Sequence, residues 1–149
     1  MSLNQPSSES PLHRALYRHR DAGAVVHSHA PFATTLSCLP LIRAEGIPAF
    51  HYMLAMAGGD SIRCAEYQTF GSQALADSVV TAIDARKACL MASHGLIALG
   101  ADLASAIDMA VEVEYLSRVY FQTLQIGSAV QLDKDEVSKV LKGFSTYRR

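Results

Sequence analysis

Apolar positions recur with two different periods along this chain. After Ser8-Glu9-Ser10-Pro11, Leu12, Ala15 and Leu16 fall at helical spacing. Ser8 or Ser10 can cap that helix and Pro11 suits its first turn, so a helix is predicted to about Arg20. Asp21-Ala22-Gly23 ends it, and Ala24 to His29 reads as a buried strand. Ala30-Pro31 opens a short helix through about Leu39, and Pro40 and Pro48 bracket irregular chain. Tyr52 to Ala57 reads as a strand closed by the turn Gly58-Gly59-Asp60, and Ile62 to Tyr67 as another. Gly71-Ser72 precedes a helix with Leu75, Val79, Val80 and Ile83 on one side. Ala88 to Ser93 is predicted as a buried strand and Leu96 to Leu99 as its hairpin return. Asp102 to about Ile126 is the longest helix, its stripe formed by Ile107, Ala110, Val111, Glu114, Leu116 and Val119. A last helix spans Asp133 to Lys142, with Gly143 at its end. Strands interleaved with helices and free of repeats describe a mixed α/β domain with helices flanking a sheet.

Composition narrows the function classes. The chain has 149 residues, enough for one domain with a core that needs no disulfides. Half of the residues are apolar and 18% are charged, which fits a folded core rather than disorder. A formal net charge of -1 argues against nucleic acid as the partner, and the basic group Lys142, Arg148 and Arg149 is too small to reverse that. No apolar run reaches the roughly 18 residues of a membrane helix, and Met1 to Pro11 is polar, unlike a signal peptide. Cys38, Cys64 and Cys89 are widely spaced and odd in number, as expected of reduced, mainly structural thiols in a cytoplasmic protein.

Chemistry concentrates in His27-Ser28-His29. In an extended strand, residues i and i+2 share a face about 6.6 Å apart. Two imidazoles so placed can converge on one ion with metal–nitrogen bonds of about 2.0–2.1 Å. An H-x-H pair alone is more often structural than ligating. Three features strengthen it here: both histidines stand at a strand end, His94 ends a second buried strand, and Glu9 opens the preceding helix. Gly95 after His94 leaves room for a ligand. His13, one helical turn after Glu9, reads as a partner of that carboxylate, His19 as solvated, and His51 as a group behind the ligands.

Taken in order, further segments join this constellation. They are Pro6-Ser7-Ser8-Glu9, Val25-Val26-His27-Ser28-His29-Ala30, Ile47-Pro48-Ala49-Phe50-His51-Tyr52-Met53, Ala57-Gly58-Gly59-Asp60-Ser61-Ile62, Tyr67-Gln68-Thr69-Phe70-Gly71, Ser93-His94-Gly95-Leu96-Ile97-Ala98, and Lys142-Gly143-Phe144-Ser145-Thr146-Tyr147. As an ordered set they resemble the class II aldolase/adducin family, and within it the enzymes acting on L-fuculose 1-phosphate. The resemblance covers essentially the whole chain. It implies a three-layer α/β/α domain with a central, mainly antiparallel sheet.

The resemblance also implies roles. His27, His29 and His94 are the expected zinc ligands, with one Zn2+ per subunit. Glu9 is the expected fourth ligand and the proton-transfer group. Ser7 and Ser8 are expected at the substrate phosphate, and Phe70 and Tyr147 at the aldehyde end. Tyr52, reaching in from a neighbouring subunit of a homotetramer, is the expected second acid/base. The implied reaction is zinc-dependent aldol cleavage of a ketose 1-phosphate, L-fuculose 1-phosphate giving dihydroxyacetone phosphate and L-lactaldehyde. No Schiff-base lysine is called for. Small sugar phosphates are thus the expected ligands, with neither nucleic acid nor membrane as partner. Glu9 stands where related pentulose-phosphate 4-epimerases carry Asp, which favours the aldolase. Epimerase, decarboxylase and dehydratase relatives share the scaffold, and a non-catalytic interaction module of the adducin type is the alternative from a different class.

The resemblance implies about eighty further residues ahead of Pro6-Ser7-Ser8-Glu9, including loops at the phosphate site. Residues 1–149 are therefore read as a single domain corresponding to the C-terminal portion of the usual family chain. That reading expects zinc binding by this chain with weak or absent turnover.

Overall fold

The structure, a computed structural model, describes residues 5–146. In chain order it contains α1 (Ser10–His19), β1 (Ala24–Ser28), α2 (Pro31–Ser37), α3 (Pro40–Glu45), β2 (Ile47–Pro48), a 3-10 helix (Tyr52–Ala57), β3 (Ser61–Ile62), β4 (Cys64–Ala65), α4 (Gln73–Ala82), β5 (Ala88–Met91), β6 (Gly95–Gly100), α5 (Leu103–Ile126) and α6 (Lys134–Thr146). The main sheet has the order β1-β6-β5-β4, and β2 pairs with β3 in a separate two-stranded sheet. In the main sheet β1–β6 and β6–β5 are antiparallel and only β5–β4 is parallel.

Strand alternation divides the core into two layers, one on each face of the sheet. Leu90, Leu96 and Ala98 face a cluster that takes in Leu36 of α2, Ile42 of α3, Leu54 of the 3-10 helix, and Met109, Val113 and Leu116 of α5. Val25, Cys89, Met91, Ile97 and Leu99 face the other side, against Leu12 and Leu16 of α1 and Leu75 and Val79 of α4. The architecture is three-layer α/β/α with a mainly antiparallel sheet, as the resemblance implied. Burial rather than propensity holds α1 in place. Its 10 residues are too few for a stable isolated helix, whereas each fully buried leucine is worth about 1.5–3 kcal/mol.

Several local expectations are corrected. Tyr52–Ala57 is a 3-10 helix, not a strand: the His51 ring accepts the Met53 N–H at 3.3 Å and buried Leu54, Ala55 and Ala57 fill its inner side. Short apolar runs do not reveal their period, so burial decided this one. His51 is accordingly a helix cap. Pro40 begins a helix instead of irregular chain, because its missing N–H costs nothing in a first turn. Pro48 lies in β2. The expected strand from Ile62 to Tyr67 is split between two sheets, Ser61–Ile62 pairing with β2 and Cys64–Ala65 with β5. Glu9, not Ser8 or Ser10, occupies the cap position of α1, and its side chain makes no capping bond. Gly143 lies inside α6. Ile107 and Val111 of α5 are 45% and 63% exposed, whereas Ala106, Met109, Val113, Leu116, Ser117 and Tyr120 are buried. The buried face is thus turned by about one position from the expected stripe. Cys89 is buried, Cys64 half-buried and Cys38 exposed, so the thiols are not uniformly structural. Among the described residues no helix is long and apolar enough to cross a membrane.

Candidate metal centre

Strand β1 carries Val25 into the core, and the same alternation turns His27 to that face at the strand's end. His29 follows just beyond β1, and His94 stands in the tight turn between β5 and β6, its N–H bonded to the Met91 carbonyl at 3.1 Å. Antiparallel pairing of β1 with β6 therefore brings the H-x-H pair to the turn that carries His94. The three ring centroids lie 4.9–5.0 Å apart. One donor atom from each ring falls within 4.8 Å of the other two.

His27 Nδ1 lies 3.1 Å from the Leu96 carbonyl oxygen. A carbonyl only accepts, so Nδ1 carries the proton and Nε2 of the neutral ring keeps a lone pair for a metal. Burial lowers the pKa of His94; the nearby His27 and His29 lower it further, and the Glu9 carboxylate opposes them. Burial likewise lowers that of His13, with His27 adding and Glu9 opposing. Both effects favour the neutral imidazole, the form that can bind a metal.

Glu9 opens the α1 side of the site. Its Oε2 is buried and has no hydrogen-bond partner. A buried carboxylate oxygen left unpaired is costly, and a cation is the partner that such an atom accepts. His13 does not pair with the Glu9 side chain as expected; only its backbone N–H reaches the Glu9 carbonyl, at 3.2 Å.

A cleft of about 430 Å³ is lined by Ser8, Glu9, His27, Ser28, His29, Phe70 and His94. Of the expected site residues it therefore gathers the three histidines, Glu9, Ser8 and Phe70. Gly71, at φ +73°, lets the chain after Phe70 pass against the Ser8 carbonyl, where a side chain would intrude. Ser7 stands behind the lining, its Oγ accepting the Glu9 N–H at 3.3 Å. Tyr52 does not line this cleft. It is 53% exposed and faces a second groove with Met53, Met56, Lys87, Leu141 and Phe144, its ring stacked on Phe144 at 6.4 Å. Tyr147 lies outside the described residues. The space beside Gly95 is not free for a ligand as expected: a Cβ there would meet the Ser28 carbonyl and the His29 ring.

Two contributors escaped the sequence reading. One is the Leu96 carbonyl, a backbone atom that no residue type advertises. The other is Glu114, whose two carboxylate oxygens each accept a backbone N–H, of Phe32 and of Ala33, at 2.9 Å. This pins the start of α2, two residues after His29, to α5.

This geometry can be set beside known proteins. A family model described as the class II aldolase and adducin N-terminal domain matches residues 1–121. The chain belongs to this family. A 5-methylthioribulose-1-phosphate/5-deoxyribulose-1-phosphate aldolase of Rhodospirillum rubrum is 50% identical over 144 residues, covering 96% of this chain and 63% of the relative. An L-fuculose phosphate aldolase of Escherichia coli is 48% identical, covering 95% of this chain and 65% of the relative. A solved structure of an L-fuculose 1-phosphate aldolase superposes with a TM-score of 0.86 at 37% identity, covering 94% of this chain and 64% of its own. The chain thus spans just under two thirds of the length of these relatives.

Proposed function

We propose that the protein is a class II aldolase that cleaves a ketose 1-phosphate at a divalent metal held by His27, His29, His94 and Glu9. The observation that carries this reading is the meeting of three imidazole donors within 4.8 Å in the cleft that Glu9 also lines with a buried carboxylate oxygen that has no partner among the described residues. Three nitrogens and one oxygen suit Zn2+ best among the common divalent ions. The ion supplies Lewis-acid stabilisation of the negative charge that develops when a carbon–carbon bond beside a ketone breaks.

The chain's own residues divide the remaining work. His27 is held to the Leu96 carbonyl, which fixes its ring plane. Glu9 transfers the proton at C3 of the enediolate, delivering it in cleavage and removing it in synthesis. Ser8, with Ser7 behind it, stands at the substrate phosphate. Phe70 offers an apolar wall to the aldehyde end, and Tyr147 is assigned there too. Tyr52 faces away from its own chain's cleft, so its role as second acid/base is served by a neighbouring copy in a homotetramer.

The substrate is a ketose 1-phosphate with a ketone at C2 and hydroxyls at C3 and C4, the C4 hydroxyl becoming the aldehyde carbonyl as the C3–C4 bond breaks. L-fuculose 1-phosphate fits this description and would release L-lactaldehyde. The name of the Rhodospirillum rubrum relative makes 5-deoxyribulose 1-phosphate the competing candidate, releasing acetaldehyde. All such substrates share dihydroxyacetone phosphate as the other product.

The test is metal analysis of the purified protein, with dihydroxyacetone phosphate release measured on both candidates. About one zinc per chain, lost in His29→Ala, is expected. Undiminished zinc in that variant would sink the ligand assignment, and release from neither substrate would sink the proposed reaction.

A further inference from the structure

The turn that carries His94 has an unusual residue in front of it. Ser93 adopts φ +52°, a left-handed conformation that is strained for a residue with a Cβ. Its torsions fix the direction of the chain into His94, so relaxing Ser93 to negative φ would swing the His94 ring off the other two histidines. Something must hold Ser93 there.

The holding contacts lie outside the cleft. The Ser93 N–H donates to the Ser37 carbonyl at 3.3 Å. Arg43, in the last turn of α3, donates from Nε to that same Ser37 carbonyl at 3.2 Å and from Nη2 to the Ser93 hydroxyl. Ser37 itself is fully buried at the end of α2. The planar guanidinium therefore bridges a fixed backbone point and the strained residue, a two-point fork that a lysine could not reproduce.

We infer that Arg43 is a positioning residue for the metal centre, holding Ser93 in its left-handed conformation so that His94 points at His27 and His29. The inference rests on the proposed metal site. Arg43 touches neither the histidines' donor atoms nor the substrate cleft, and its effect passes entirely through the Ser93 backbone.

That mechanism has a specific rescue, because glycine adopts positive φ without strain. Co2+ titration of the purified chain, followed by its visible absorption with circular dichroism monitoring the fold, tests it. Wild type is expected to give a tetrahedral Co2+ spectrum, and Arg43→Ala to bind about tenfold more weakly, at the low end for residues that support metal ligands. Ser93→Gly is expected to bind within about twofold of wild type, and the Arg43→Ala/Ser93→Gly double variant to return close to Ser93→Gly. Unchanged affinity in Arg43→Ala, or a double variant as weak as Arg43→Ala, overturns the inference while leaving the metal site standing. No Co2+ binding by wild type overturns the metal site and this inference with it.

Discussion

His27 is paired across the sheet with Ile97 yet directs its Nδ1 to the neighbouring Leu96 carbonyl, 3.1 Å away. The proposed metal centre is therefore built on the spacing of β1 from β6. Gly95 sets that spacing at the site end, since a Cβ there would run into the Ser28 carbonyl and the His29 ring. Gly95→Ala is expected to destabilise the fold by about 1–3 kcal/mol through overpacking and to weaken metal binding. Chemical denaturation combined with zinc titration measures both, and unchanged values in each would show that β1 can shift freely.

Glu9 is expected to matter to chemistry more than to folding. Its buried Oε2 has no partner among the described residues, so Glu9→Gln removes a charge that these residues leave unsatisfied in the metal-free protein. The metal-free variant should melt no lower than wild type. With metal bound, exchange of the C3 proton of dihydroxyacetone phosphate with deuterated solvent should fall by about a hundredfold or more. Undiminished exchange, read by proton NMR, would assign the proton transfer to another group.

Glu114 accepts the Phe32 and Ala33 N–H groups at 2.9 Å. Both belong to the first turn of α2, where backbone donors have no partner within the helix. Charge-assisted bonds to such donors are worth about 1.5–3 kcal/mol. Glu114→Ala should cost about 2 kcal/mol in urea denaturation, and a loss below about 0.5 kcal/mol would mean that water replaces the carboxylate.

The thiols should label in the order of their surroundings. Cys38 is exposed and should alkylate first. Burial pushes the Cys64 thiol up to about 11, so its thiolate fraction grows about tenfold per pH unit through the alkaline range. Cys89 is fully buried, and burial pushes its pKa above the range where it ionises in the folded protein. Mass spectrometry after iodoacetamide treatment at pH 8 to 10 should show Cys64 labelling accelerate with pH, with Cys89 modified only on unfolding. Equal labelling of all three would contradict the described packing.

Asp102 caps α5 by accepting the Ser105 N–H at 2.8 Å, and the Ser105 hydroxyl also bonds it. These bonds hold its carboxyl below the ordinary value of 3.8. A depressed folded pKa stabilises above the unfolded value and loses that contribution as pH falls through the folded one. Asp102→Asn should therefore narrow the stability difference between pH 7 and pH 2 relative to wild type. An identical acid dependence in the two proteins would mean that the cap does not discriminate the ionised form.

Much of the site was legible because its residue types are local signals. His27-Ser28-His29 needs only strand alternation to place two imidazoles together, and His94 ends an apolar run too uniform to be anything but buried chain. The longest helix was legible for the same reason, as a long helical pattern running to about Ile126; that Asp102 caps it rather than belonging to it came from the structure. Tyr52–Ala57 was not. Six apolar residues fit a strand or a helical turn equally, and the cap from His51 together with burial of Leu54 chose the turn. Arg43 was invisible because its partners, the Ser37 carbonyl and Ser93, are remote in sequence and ordinary in type.

By itself the sequence determined the α/β character, the family resemblance and the identities of the candidate ligands, because side-chain chemistry and short-range periodicity are written residue by residue. Only the tertiary structure decided that Glu9 lines the same cleft as the three histidines, that Tyr52 faces a different groove, and that Arg43 stands behind Ser93. Those relations depend on which distant backbones the sheet and its helices bring within hydrogen-bond range, and that is fixed by how the whole core packs.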